Sequence, residues 1–312
     1  MAQYTVLQKS AMEAILARYG ISTLTEWKLL EGGSANTNYL VSTPDTQLVL
    51  TICDAKSAQQ TQELADLLEY LHKADFRTSK VIRNLDQKLV EFWEGKPVML
   101  KEYLAGRVMQ NLPPNLLSDV GQQLGKLHTL AAPDYLPKTI DYGLQAFAEM
   151  ETYAPNSLFY KWLQEIEQYV LGHNLPELPK TLIHSDLFYN NIIVNTTQSE
   201  ATIMDFEEAS YYYRVFDLGM TITGVCSQGA EIDLAQTRHL LAGYQQIIQL
   251  QDVEIDALQA FVVYAAAATA FWRYRQYQVL NPNPEMQSHY LIMKNLADFA
   301  RQLPKNCLIN LT

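Results

Sequence analysis

The chain has 312 residues, 34 acidic against 23 basic, for a formal net charge of −11; 48% of it is hydrophobic and 11% aromatic. That apolar content excludes bulk disorder, and the length suits one large or two moderate domains. An acid excess without any Lys/Arg run excludes a binder of phosphate backbones, so no nucleic-acid partner is expected and a neutral or cationic small molecule is. Cys53, Cys226 and Cys307 are odd in number and lack metal or redox spacing, which reads as reduced thiols of a cytoplasmic protein. Met1 to Ser10 has no export signal. The longest apolar run, Ala260 to Trp272, is too short for a bilayer and reads as a buried helix, so no membrane partner is expected.

Up to Leu104 the pattern is short strands with one strong helix. Thr37 to Ser42 and Gln47 to Cys53 alternate around the Thr43-Pro44-Asp45-Thr46 turn as a hairpin. Ala58 to His72 carries Leu64, Leu67, Leu68 and Leu71 at helical spacing. Lys88 to Trp93 and Pro97 to Leu104 flank Glu94-Gly95 as a second hairpin. Beyond Gly106, helical periodicity marks Leu116 to Leu130, Ser157 to Leu171, Leu234 to Leu250, Ile255 to Leu280 and Met286 to Leu303, interrupted by a strand island at Thr181 to Phe206. The expected architecture is α+β, a small β-rich lobe over residues 1–104 and a larger helical lobe over 105–312. The first part carries 11 basic and 13 acidic residues; the remaining excess of −9 lies in the second.

The chemistry concentrates in the strand island. Ile192 to Val194 and Thr202 to Met204 read as a hairpin in which Ile192 faces Met204, which sets Asn191 opposite Asp205. An amide oxygen beside a carboxylate is a donor pair suited to Mg²⁺ with phosphate oxygens and water completing the shell. Asp186, five residues before Asn191, is folded back to the same end, where a carboxylate can orient a hydroxyl for in-line attack on a phosphoryl group. His184 reads as a brace of the loop backbone.

The string His184-x-Asp186-x-x-x-x-Asn191, followed by Ile203-x-Asp205-Phe206, resembles the catalytic loop and metal-binding segment of the protein-kinase-like small-molecule kinases, the aminoglycoside phosphotransferase and choline kinase superfamily. The resemblance implies a bilobal protein-kinase-like fold, ATP and Mg²⁺ as cofactors, Asp186 as catalytic residue, and Asn191 and Asp205 as metal ligands. It implies a phosphate-covering loop at Glu31 to Tyr39, with Gly32, Gly33, Ser34 and Asn36. The segment Met99 to Gly106 then docks adenine through the backbone at Glu102 and Leu104. It implies the small-lobe helix glutamate at Glu63, with Glu69 on the same helix, and a backbone-bracing role for Asp217. The chain departs from the superfamily where a strand cation usually meets the phosphates, since Thr51 stands there. Homoserine kinases of the superfamily resemble this chain in both the Asn36-Thr37-Asn38-Tyr39 loop and the Val49-Leu50-Thr51 strand.

The acceptor site is expected in the helical lobe. Phe271 to Tyr277 closes a long helix, and either Arg273 or Arg275 in the pocket would suit an acceptor carboxylate. Trp272 with Tyr211 to Tyr213 would instead suit a quaternary ammonium. Glu207 fits a metal, a cationic acceptor or the surface. The expected function is ATP-dependent phosphorylation of the hydroxyl of an amine-bearing metabolite, homoserine ahead of choline or ethanolamine and then an aminoglycoside. A catalytically silent nucleotide-binding module is the reading from another class, motivated by Thr51. Oligomeric state is not legible.

Overall fold

A computed structural model describes residues 5–30, 36–173, 175–304 and 306–309. The chain forms two compact units, Met1–Ala105 and Gly106–Thr312.

The first unit is an antiparallel sheet of β1 (Glu26–Leu30), β2 (Thr37–Ser42), β3 (Gln47–Ile52), β4 (Val81–Ile82), β5 (Glu91–Trp93) and β6 (Lys96–Glu102), in the order β1-β2-β3-β6-β4, with β5 also paired to β6. The β2–β3 turn is closed by Thr43, whose hydroxyl accepts the Asp45 and Thr46 amides at 3.3 and 3.0 Å. Glu94 and Gly95 both take positive φ, 48° and 80°, as a tight two-residue hairpin needs. Alternation along the strands sends Tyr39, Val41, Leu48, Leu50, Ile52, Val98 and Leu100 to one face, where α1 (Lys9–Ala17) covers them with Met12, Ile15 and Leu16. Helix α2 (Ala58–Lys73) starts on a Ser57/Gln60 capping box and packs on β4 and β6.

The second unit holds α3 (Pro114–Thr129), α4 (Met150–Tyr153), α5 (Leu158–Leu171), α6 (Arg214–Val225), α7 (Leu234–Gln245), α8 (Asp252–Tyr274) and α9 (Tyr290–Gln302). Among its described residues, β7 (Lys180–Ile183) pairs with β10 (Ser210–Tyr213), β8 (Ile192–Val194) with β9 (Ala201–Ile203), and β11 (Ser227–Gln228) with β12 (Glu231–Ile232). Helix α8 with the π-helical turn Arg275–Leu280 makes 29 residues, enough by length and composition to cross a membrane, yet most of it is buried, packed against α5, α6 and α9. The buried-helix reading stands, with an extension N-terminal to the expected start. Helix α7 stops five residues short of the expected Leu250, and α9 starts four residues after Met286, behind turns at Met286 and His289. The elements expected from periodicity omitted α1, β1, β4, α4, β10, α6, β11 and β12.

The β8–β9 register differs from expectation by one residue: Ile192 faces Ile203 and Val194 faces Ala201. A one-residue slip turns every side chain to the opposite face. The observed pairing sends Ile192, Val194, Ala201 and Ile203 together into the core, whereas the expected one would have sent Thr202 inward. The loop from Asn195 to Glu200 fixes it through the Asn195 amide on the Glu200 carbonyl, 3.1 Å. Asn191 therefore faces Met204, whose amide donates to the Asn191 carbonyl at 2.9 Å, and Asp205 lies one residue beyond.

Candidate active site

The loop between β7 and β8 is held from below by α6. Asp217, fully buried, accepts the His184 amide on Oδ2 and the Ser185 amide on Oδ1, both at 2.8 Å. Its Oδ2 also lies 3.1 Å from His128 Nε2, and His128 Nδ1 lies 2.9 Å from the Tyr244 hydroxyl. A carboxylate cannot donate, so His128 donates from Nε2 and accepts the Tyr244 O–H on Nδ1. Tyr244→Phe leaves that buried nitrogen unpaired and is expected to lower stability by about 1–3 kcal/mol in urea unfolding. Ser185 takes φ = 73°, sparsely populated for a non-glycine residue. Such a conformation persists where surroundings over-determine it. Here Asp217 grips its amide, Tyr142 donates to its carbonyl at 2.9 Å, and its hydroxyl pairs with Ser210 at 3.0 Å.

His184 Nδ1 accepts the Asp186 amide at 3.2 Å, which leaves Nε2–H to donate to the Met204 carbonyl at 2.9 Å. The ring thus ties the loop to the exit of β9, and both nitrogens are engaged, so His184 braces the loop and is not placed to act as a base.

Asn191 donates from Nδ2 to the Asp186 carbonyl at 2.8 Å and to Asp186 Oδ2 at 3.4 Å. No described residue donates to its Oδ1. Asp205 follows β9 in a left-handed conformation, φ 68° and ψ 62°, which turns the chain out of the ladder; its exposed carboxylate accepts no hydrogen bond from a described residue. Its charge nevertheless reaches Asp186. Burial first, then the Asp205 and Glu208 carboxylates, push the Asp186 carboxyl up to about 7, while the Asn191 hydrogen bond and the Arg273 charge pull the other way. Two open hard-oxygen donors, Asn191 Oδ1 and the Asp205 carboxylate, fit a Mg²⁺ ion that keeps water and phosphate oxygens as its other ligands. Among the described residues no three His, Cys, Asp or Glu side chains group closely enough to hold a metal ion alone.

Of the acceptor candidates, Arg273 is the one whose charge reaches Asp186. Burial pushes its guanidinium below the usual range, while Tyr277, Asp186 and Tyr189 hold it up. Its Nη1 donates to the His289 carbonyl at 3.3 Å. Arg275 is taken by Asp141 and Glu149 at 3.0 and 3.1 Å. Trp272 stands edge-on to Tyr277, ring centroids 6.0 Å apart. The tyrosine cluster is used elsewhere: Tyr212 meets the Tyr264 hydroxyl at 3.2 Å, and Tyr213 packs on Phe261 with Lys180 over its ring at 4.4 Å. Glu207 is half-buried; it is the next residue, Glu208, whose charge reaches Asp186.

In the first unit, Gly32, Gly33 and Ser34 lie outside the described residues, and Asn36 is buried at the start of β2. Thr51 is buried and gives its hydroxyl to Asn38 at 2.7 Å, directly across the β2–β3 ladder. Glu63 accepts from Gln59 at 2.9 Å, and Glu69 instead holds Arg83 and Lys73. Glu102 pairs with Lys80 at 3.2 Å and donates its amide to the Lys80 carbonyl at 2.9 Å; the Leu104 amide has no acceptor among the described residues.

Sequence reasoning missed His128, Tyr142, Tyr244 and Glu208. The available signal was a histidine on the apolar face of α3, which needs a partner once buried.

The model of the phosphotransferase enzyme family matches residues 26–250. A homoserine kinase of Pseudomonas aeruginosa (strain UCBPP-PA14) is 31% identical over 252 residues, covering 78% of this chain and 79% of that protein. Among solved structures, an amicoumacin kinase in complex with AMP-PNP and Ca²⁺ aligns with a TM-score of 0.73 at 17% identity over 96% of this chain and 95% of that one. A choline/ethanolamine kinase family protein of Mesorhizobium loti aligns with a TM-score of 0.70 at 15% identity, covering 97% and 98%. These likenesses show a protein-kinase-like α+β fold, and the matched segment contains Asp186, Asn191, Asp205 and Asp217. The chain belongs to the phosphotransferase enzyme family.

Proposed function

We propose that the chain is an ATP- and Mg²⁺-dependent kinase of the cytoplasm that phosphorylates the side-chain hydroxyl of homoserine. The observation that carries the reading is a partly buried carboxylate, Asp186, fixed by Asn191, flanked by Asp205 and reached by the charge of Arg273. Asn191 and Asp205 would hold the Mg²⁺ of MgATP, which would supply the phosphoryl group and neutralise charge on its oxygens. Asp186 accepts the hydrogen bond of the acceptor hydroxyl and aims its oxygen, while Asn191 keeps that carboxylate from rotating away. Asp217 and His184 hold the backbone under both. Adenine is assigned to the backbone around Glu102 and Leu104. Thr51 brings no charge and spends its hydroxyl on Asn38, so the phosphates are left to the metal.

Arg273 separates the acceptors. A guanidinium matches an acceptor carboxylate in a bidentate pair. Homoserine has a carboxylate; choline, ethanolamine and the aminoglycosides do not. Tyr212 and Tyr213, engaged with Tyr264 and Phe261, are not free to join Trp272 in an aromatic cage. The similarity to named homoserine kinases supports the same choice, and the joint presence of Asp186, Asn191 and Asp205 speaks against a silent module. Purified protein with MgATP is expected to release ADP on addition of homoserine and far less with choline, ethanolamine or an aminoglycoside. Arg273→Met is expected to raise the KM for homoserine by about 10–100-fold, the worth of a charge-assisted pair of about 1.5–3 kcal/mol, while leaving the KM for ATP near its original value. Equal loss on both substrates would assign Arg273 to the fold instead.

A further inference from the structure

Helix α6 meets the catalytic loop twice. In its first turn Asp217 grips the His184 and Ser185 amides. Seven residues later, two turns and about 10 Å along the axis, Gly224 lies against the other end of the same loop. A Cβ placed on Gly224 would stand 2.6 Å from the Leu187 carbonyl oxygen and 2.8 Å from both Cα and Cγ of Phe188. Gly224 itself has ordinary helical φ, so the demand is for space and not for a special backbone conformation. The backbone seated there carries the chemistry. The Phe188 amide donates to the Asp186 carbonyl at 3.1 Å, and the Asn191 amide donates to the Phe188 carbonyl at 2.9 Å. The Asn191 side chain returns to that same Asp186 carbonyl at 2.8 Å. Any lift of Leu187–Phe188 off the helix therefore moves Asp186 and Asn191 together.

We propose that Gly224 is a positioning residue: the missing side chain lets the loop sit directly on α6, and Asp217 and Gly224 together set the height of Asp186 and Asn191. The kinetic side of this inference rests on the phosphotransfer reading above; the seat itself does not. A displacement of about 1 Å in a reacting group costs on the order of 100-fold in rate.

Gly219 gives an internal control on the same helix. The three atoms nearest a Cβ there all lie on α8, Phe261 O at 2.4 Å, Phe261 C at 2.6 Å and Val262 N at 2.9 Å. Gly224→Ala is expected to melt cooperatively and to lose about 100-fold in kcat, whereas Gly219→Ala loses thermal stability and keeps kcat within about threefold. Should Gly224→Ala fail to fold, Phe188→Ala reads the seat from the loop side, lifting the ring off the glycine without adding bulk, with about a tenfold loss in kcat expected. Loss of activity in both glycine variants in proportion to their melting temperatures, or unchanged kcat in Gly224→Ala or in the substitute Phe188→Ala, overturns the proposal. If the wild-type protein phosphorylates none of the acceptors, the reaction assignment has failed and hydrogen–deuterium exchange over residues 184–191 decides the seat. Faster exchange in Gly224→Ala than in Gly219→Ala supports it, and equal exchange overturns it.

Discussion

Asp186→Asn is expected to lower kcat by about 10²–10⁴-fold while leaving MgATP binding close to wild type, because it removes the group that orients and receives the hydroxyl proton but no proposed metal ligand. The amide is nearly isosteric, and the backbone bonds that Asp186 gives to His184 and accepts from Phe188 and Asn191 do not involve the substituted oxygen. Isothermal titration with a non-hydrolysable ATP analogue and single-turnover kinetics separate the two effects. Loss of nucleotide binding in step with turnover would exchange the roles given to Asp186 and Asp205. The wild-type carboxylate also has a pH signature. Because burial and the neighbouring carboxylates raise Asp186 to about 7 from an ordinary 3.8, the reactive anion is lost as pH falls through neutrality. Mg²⁺ bound at Asp205 would offset one of those carboxylates, so the acid limb of kcat/KM measured with MgATP is expected below the pH 7 of the metal-free group, and Glu208→Gln is expected to move it lower still by removing another.

Asp205→Asn is expected to fail at the earlier step. Outer-shell partners of a metal are worth about 10–100-fold in metal affinity, so a direct ligand exposed and unpaired as Asp205 is should cost at least that in the Mg²⁺ dependence of ATP binding. The free protein tolerates the change, since no described residue hydrogen-bonds this carboxylate. Removal of a charge that raises Asp186 also lowers that group. The variant should therefore keep its melting temperature without ligand and lose the stabilisation that MgATP confers. An unchanged Mg²⁺ requirement would remove Asp205 from the metal site.

What was legible in the chain follows the range of the interactions. Asp186 and Asn191 are five residues apart, so their hydrogen bond is a local consequence of the loop and readable as a spacing. Asp205 was readable as the residue after an apolar strand, but not its register: Ile203 and Met204 are both apolar, and only burial of Ala201 with Ile203 decides which face turns inward. Arg273 and Arg275 are two positions apart on a helix and point to different sides. Which one meets the acceptor depends on Asp141 and Glu149, more than a hundred residues earlier, capturing Arg275. The His128–Asp217 contact spans 89 positions, and nothing in spacing announces it. Gly224 was invisible for another reason, since a glycine selected for close approach looks like any glycine until its neighbour is known. Periodicity located the longer amphipathic helices and the alternating hairpins but passed over α1, β1, α6 and β10, and it slipped at helix ends, where α8 begins three residues before Ile255 and α9 waits for the turns behind it.

In the proposed reaction this site transfers a phosphoryl group to the hydroxyl of an amino acid held by its carboxylate. Phosphorus NMR of the wild-type protein incubated with MgATP and homoserine tests it most directly. The expected spectrum gains a phosphomonoester resonance as the γ-phosphate signal falls, in equal amounts and only when homoserine is present. Release of inorganic phosphate without a phosphomonoester, or an equal phosphomonoester signal with ethanolamine in place of homoserine, would contradict the account.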